Sequence, residues 1–97
     1  MADAHHATTA VSVVWRGNVQ GVGFRATVAS ICRAHAIVGW VRNRVDGAVE
    51  ALLVGAQRDV DAARSGIRSS RNEYIRSEES WPAPRLEQSP IAFEITR

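Results

Sequence analysis

A glycine-rich segment followed by an arginine is the part of this sequence best suited to chemistry. The segment Gly17–Gly23 holds three glycines in seven residues, and a helical pattern begins directly after it. Glycine lets the backbone approach a ligand closely, and successive backbone N–H groups beside a helix N-terminus bind anions. Arg25 falls in the first turn of that helix, where its planar guanidinium can hold two phosphate oxygens. The segment therefore predicts a site for a phosphate-like anion.

The elements that position this segment follow from the spacing of apolar residues. Alternation predicts strands, and spacings of three and four residues predict helices. We expect a strand at Val11–Trp15, a helix from Phe24 to about Ala36, strands at Ile37–Asn43 and Ala48–Val54 joined by a turn at Asp46-Gly47, a helix at Gln57–Ser70, an edge strand at Tyr74–Trp81 and a final strand at Ile91–Ile95.

The order of these elements is β-α-β-β-α-β with a short last strand. Such an order predicts a ferredoxin-like α+β sandwich, in which an antiparallel sheet carries two helices on one face. Trp15 and Trp40 are assigned to the core of this sandwich. The last strand is expected to run beside the first, which would bring Arg97 and the terminal carboxylate near the site.

Length and composition indicate one small globular domain. The chain has 97 residues, of which 45% are hydrophobic and 23% charged, in the range of globular domains. We expect a disordered tail over residues 1–9 and a single domain over 10–97. Twelve arginines and no lysine give a net charge of +2, a mild positive field that favours anionic ligands.

The only cysteine, Cys32, allows no internal disulfide. A cysteine without a partner fits a reducing compartment, so the expected location is the cytoplasm. Its place on the buried side of the first helix favours packing over a role as nucleophile. No apolar run approaches the ~20 residues of a membrane helix, which predicts no membrane partner.

Two stretches of the chain resemble one known family. The run Gly17-Asn18-Val19-Gln20-Gly21-Val22-Gly23-Phe24-Arg25 resembles the acylphosphatase signature Gly-x-Val-Gln-Gly-Val-x-Phe-Arg. A second stretch, Gly39-Trp40-Val41-Arg42-Asn43 followed by Gly47, Val49 and Gly55, also matches at the family's spacing. The fold that the resemblance implies agrees with the element order.

The resemblance implies a hydrolase that converts an acyl phosphate and water into a carboxylate and phosphate. It gives Arg25 and the loop residues Val19, Gln20, Gly21 and Val22 the role of binding phosphate, and Asn43 the role of positioning the attacking water. It implies no metal, no cofactor and no covalent intermediate. The expected ligands are a small-molecule acyl phosphate and inorganic phosphate or sulfate. We expect a monomer with no nucleic-acid partner.

The chain departs from the family pattern at Trp15, Asn18 and Ala26, and more widely after Gly55. Two other functions stay open at this stage. One is a domain that binds phosphate without turnover, which the departures after Gly55 allow. The other is an RNA-binding sheet, although the required Arg/Lys-Gly-aromatic run is absent. A dinucleotide fingerprint at Gly21-x-Gly23-x-x-Ala26 is disfavoured because Asp46, its acidic partner, falls in a hairpin turn.

Overall fold

The computed structural model describes residues 8–84 and 89–96. Within these ranges the chain forms five strands and two helices, in the order β1 (Thr8–Gly17), α1 (Phe24–Ala34), β2 (Val38–Asn43), β3 (Val49–Ala56), α2 (Gln57–Arg71), β4 (Ile75–Pro82) and β5 (Phe93–Thr96). The predicted element order is confirmed. Only the start of β1 differs from its predicted position by more than two residues.

The strands form one sheet in the order β4-β1-β3-β2-β5. β1 pairs antiparallel with both β3 and β4, and β2 pairs antiparallel with β3. β5 pairs parallel with β2, so the sheet is mixed at that edge. Both helices pack their buried side chains into the same core as one face of the sheet, which confirms the ferredoxin-like sandwich.

One face of the sheet and one side of each helix build the core. The predicted face of β1 supplies Val13 and Trp15, both fully buried. The helices contribute side chains at the predicted spacings, namely Phe24, Val28 and Cys32 from α1 and Val60, Ala63 and Ile67 from α2. Each large apolar side chain removed from water in this way contributes about 1.5–3 kcal/mol.

The carboxylate of Glu78, in β4, joins α2 to the edge of the sheet. Its Oε2 accepts hydrogen bonds from Arg64 at 2.7 Å and Arg68 at 2.9 Å. Its Oε1 accepts one from the indole Nε1 of Trp15 at 2.9 Å. Arg68 makes this contact from an exposed position, since half of its side chain stays accessible to solvent.

The ends of the chain differ from expectation in two ways. Thr8 and Thr9, assigned to the tail, pair with Ala56 and Gly55, because β3 runs far enough to give them partners; residues 1–7 of that predicted tail lie outside the described residues. The last strand pairs with β2 and not with β1, so that prediction was wrong. Arg97, placed near the site on that argument, also lies outside the described residues.

Trp40 is not in the core. β2 turns Gly39 and Val41 towards the helices, and Trp40 lies on the opposite, open face of the sheet across from Leu52 and Glu94. A side chain at position 39 is not possible, because a Cβ there would collide with the carbonyl oxygen of Leu52. Glycine is therefore required at this position, and alternation along the strand turns its neighbour Trp40 to the open face.

Candidate functional site

The direction of the strands brings three chain segments to the same end of the sheet. β1 and β2 both pair antiparallel with β3, so they run parallel to each other, and β5 runs parallel to β2. The C-terminal ends of these strands, at Gly17, Asn43 and Thr96, therefore lie at the same end of the sheet. The glycine-rich loop leaves β1 there and leads into α1.

The loop adopts a backbone that glycine favours. Gly21 and Gly23 have φ values of +79° and +77°, a region that other residues enter only at a cost. Gly23 is the N-cap of α1, with no side chain bonded to the first turn and no acidic residue within it. The N–H groups of a first turn that lacks a side-chain cap are available to an external anion, and the helix dipole favours its negative charge.

Arg25 lies in the first turn of α1 and lines a pocket of about 200 Å³ at this end of the sheet. Its guanidinium donates from Nη1 to the carbonyl oxygen of Thr96 at 3.2 Å, which fixes the side chain against the end of β5. The remaining donors of the guanidinium stay available to a ligand, because one of its five N–H groups suffices for that bond.

Asn43 is the last residue of β2 and lines the same pocket. Alternation along β2 places its side chain on the helix-facing side together with Gly39 and Val41. Its partner across the ladder is Val49, which in turn pairs with Trp15. The structure therefore brings together the two residues that the sequence predicts as central, Arg25 and Asn43.

The four loop residues predicted to bind phosphate take different positions. Val19 and Gly21 line the pocket. Val22 packs against the core. The side-chain amide of Gln20 points to the β2–β3 hairpin, where Nε2 donates to the carbonyl oxygens of Arg44 at 2.8 Å and Ala48 at 2.9 Å. The Gln20 side chain therefore anchors the loop, and Gln20 and Val22 can contribute to the site only through the backbone.

The pocket also includes residues that the sequence analysis did not assign to it, namely Phe24, Ala26 and Ile95. The alternation of the final strand did indicate that Ile95 shares a face with buried Phe93. The pairing of that strand with β2, which decides where this face lies, could not be deduced from the pattern.

Trp15, in β1, packs against the start of α1 from the sheet side. Its ring meets the ring of Phe24 edge to face, with 5.4 Å between the ring centres and 66° between their planes. Phe24 directly precedes Arg25, so this contact and the hydrogen bond from Trp15 to Glu78 fix the first turn of the helix. Trp15, at which the chain departs from the family pattern, thus lies in the core and contacts the residue next to Arg25.

Two other titratable groups take structural positions. Cys32 is fully buried in the core, and burial raises the pKa of its thiol to about 12, which supports packing over a role as nucleophile. Asp46 lies in the β2–β3 turn, where its carboxylate accepts a hydrogen bond from the N–H of Ala48 at 3.1 Å. That bond, followed by those from Arg44 and Arg16, lowers the pKa of Asp46.

The fold and the pocket describe a small α+β sandwich with a glycine-rich loop before its first helix, and comparison with known proteins gives the family. The acylphosphatase family model matches residues 11–87, so the chain belongs to the acylphosphatase family. The predicted class, a hydrolase of acyl phosphates, is thereby confirmed.

Individual relatives agree with this assignment. The chain is 38% identical over 88 residues to acylphosphatase 2 of Ralstonia nicotianae, a match that covers 91% of this chain and 93% of the relative. It is 47% identical over 72 residues to an acylphosphatase of Bradyrhizobium diazoefficiens, covering 70% and 73%. The crystal structure of acylphosphatase from Bacillus subtilis superposes with a TM-score of 0.83 at 27% identity, covering 94% of this chain and all of that one.

Proposed function

We propose that the pocket between the loop, α1, β2 and β5 is the active site, with Arg25 and the backbone N–H groups binding the phosphoryl group and Asn43 positioning the attacking water. The observation that carries the proposal is that Arg25 and Asn43, which come from a helix and a strand, line one pocket beside a helix N-terminus without a side-chain cap. Among the residues described, that lining holds one cation and no carboxylate.

The phosphoryl group is bound through charge and directed donors. Arg25 supplies a permanent positive charge, and the first-turn N–H groups of α1 supply oriented dipoles. Donors held in place before the reaction stabilise the charge that develops on the phosphoryl oxygens without reorganisation. The bond from Arg25 to Thr96 contributes to this by restricting the guanidinium.

The chemical step is direct attack by water. The oxygen of a water held by the Asn43 amide forms a bond to phosphorus, and the bond between phosphorus and the acyl oxygen breaks. The carboxylate leaves with the bonding electron pair, and the proton lost by water passes to phosphate or to solvent. Because a carboxylate is a good leaving group, positioning and charge stabilisation suffice, and the step requires neither a protein nucleophile nor a metal.

Turnover of benzoyl phosphate in the presence of EDTA tests this proposal. We expect hydrolysis to proceed with the chelator present, and inorganic phosphate and sulfate to inhibit competitively, since the anion site recognises the tetrahedral group. Binding of phosphate without turnover would identify a phosphate-binding domain instead. Loss of all activity with EDTA, restored by Mg²⁺ or Zn²⁺, would contradict the metal-independent step.

The open face of the sheet gives little support to a nucleic-acid partner. Trp40 does lie on that face, but two arginines of the same face are engaged in ion pairs, Arg42 with Glu50 at 2.6 Å and Arg16 with Glu79 at 2.9 Å. The phosphate backbone of a nucleic acid binds mainly through available cations. We therefore propose a small-molecule hydrolase with no nucleic-acid partner. We also propose that it acts as a monomer in the cytoplasm. Within the described residues, the helices are too short and too polar to span a membrane.

A further inference from the structure

The pocket that holds Arg25 has a second, apolar side. Ala26 and Ile95 line it together with Arg25. Ile95 is 44% exposed, so its side chain is accessible to a ligand in this pocket. We propose that Ile95 and Ala26 form a contact surface for the acyl group, and that the preferred substrates carry an uncharged, apolar acyl group. This inference rests on the proposed function.

The position of Ile95 follows from the pairing of β5 with β2. Phe93 and Ile95 lie on the same face of β5, opposite Gly39 and Val41. Phe93 is buried in the core, whereas Ile95 lies beyond the edge of the core, at the pocket. The core therefore does not need an apolar residue at position 95, but a ligand in the pocket would meet one.

The hydrogen bond from Arg25 to the end of β5 indicates where the two parts of a substrate would lie. Thr96, which follows Ile95, accepts the hydrogen bond from Arg25 at 3.2 Å. A phosphoryl group bound to Arg25 therefore lies beside the end of β5. The acyl group is joined to the phosphoryl group through a single oxygen, so it must lie within a few bond lengths of Arg25, where Ile95 and Ala26 line the wall.

The charges of the pocket restrict the acyl group further. Arg25 is the one charged residue in the lining that the structure describes, and the phosphoryl group neutralises it. An ammonium or carboxylate group on the acyl part would find no counter-charge in this lining. An aliphatic or aromatic acyl group would instead gain by covering the apolar side chain. The surface therefore selects apolar over charged acyl groups.

Paired substrates with and without a large apolar acyl group test the inference. We would measure kcat/KM for benzoyl phosphate and acetyl phosphate with the wild type, Ile95→Ala and Ile95→Thr, where threonine keeps the β-branched shape that suits a strand. We expect both variants to lower the benzoyl-to-acetyl ratio by about 3- to 10-fold, less than an enclosed pocket gives because this wall is open. The competitive inhibition constant of inorganic phosphate should stay unchanged.

Ile91→Ala is the matched control. Ile91 is 96% exposed and lines a different groove, beside Trp40, so its loss should leave the ratio unchanged. If the wild type hydrolyses neither substrate, the proposed function itself fails. If it hydrolyses both and the ratio is the same in all variants, the acyl surface is wrong and the proposed function stands. An equal loss for both substrates and for phosphate binding would also overturn the inference, since Ile95 would then act on the anion site.

Discussion

The guanidinium of Arg25 donates a hydrogen bond from Nη1 to the carbonyl oxygen of Thr96 across 3.2 Å. This bond joins the first turn of α1 to the last residue of β5, 71 positions later in the chain. A second arginine of the same helix, Arg33, donates from Nε and Nη2 to the carbonyl oxygen of Phe93 at the other end of β5. Only Arg25 lines the pocket. The two arginines therefore share a structural role, and only one of them has a place in the proposed chemistry.

Replacing Arg25 should impair both binding and turnover. We expect Arg25→Ala to weaken inhibition by inorganic phosphate and to lower kcat/KM by about 10³-fold or more, because it removes the charge that faces the phosphoryl group. Arg25→Lys should also be poor, since an ammonium group cannot form two parallel bonds. Arg33→Ala is the control and should stay close to the wild type in phosphate inhibition. Normal phosphate binding by Arg25→Ala in calorimetry would contradict the proposed anion site.

Asn43 should act on turnover and not on phosphate affinity. We expect Asn43→Ala to lower kcat by about 10²-fold, the scale of losing one oriented hydrogen-bonding group, with the phosphate inhibition constant nearly unchanged. Because Asn43 ends β2 and is not fully buried, the variant should fold, which circular dichroism and thermal melting would check. A folded Asn43→Ala protein with near-normal turnover would rule out the water-positioning role.

Gln20 should matter through the hairpin it holds. Its Nε2 donates to two carbonyl oxygens, so Gln20→Ala should reduce the free energy of unfolding by about 1–2 kcal/mol. Gln20→Glu has nearly the same shape but places a carboxylate against the same two carbonyl oxygens. We expect this variant to lose more stability than Gln20→Ala, as measured by urea unfolding at pH 7. Equal stability of the two variants would show that the amide does not hold the loop to the hairpin.

Two glycines should respond to alanine in opposite directions. A Cβ at Gly66, inside α2, would meet Ile31 of α1 at an ordinary contact distance of 3.5 Å. We expect Gly66→Ala to stabilise the protein by about 0.5–1 kcal/mol through helix propensity, which raises Tm by a few degrees. Gly39→Ala should destabilise it strongly, because φ there is +138° and the Cβ would collide with the carbonyl oxygen of Leu52. A Gly66→Ala protein that melts below the wild type would show that the two helices cannot accommodate the methyl group.

The thiol of Cys32 should be unreactive in the folded protein. Burial raises its pKa to about 12, so very little thiolate is present at pH 8. We expect a thiol reagent such as DTNB to label the native protein slowly and the urea-unfolded protein at once. The native protein should keep its activity while it is incubated with the reagent. Rapid labelling of the native protein with loss of activity would contradict the packing role.

The sequence alone predicts the elements of this protein and the residues that we propose for its site. Apolar spacing predicts both helices and the strands because it reflects which face of each element is buried, and this is a local property of the chain. The glycine-rich loop before Arg25 is likewise local, since a short run of residues sets both the backbone conformation and the start of the helix. The family could therefore be predicted from Gly17–Gly55, and the comparisons confirm it.

Strand pairing depended on the tertiary structure. The pattern around Phe93 and Ile95 predicts a strand but does not say which edge of the sheet it joins, because pairing links residues far apart in sequence. Its parallel pairing with β2 places Thr96 against Arg25 and Ile95 at the pocket. In the same way, the pairing of β2 with β3 decides that Trp40 lies on the open face of the sheet, and that pairing joins residues of two different strands.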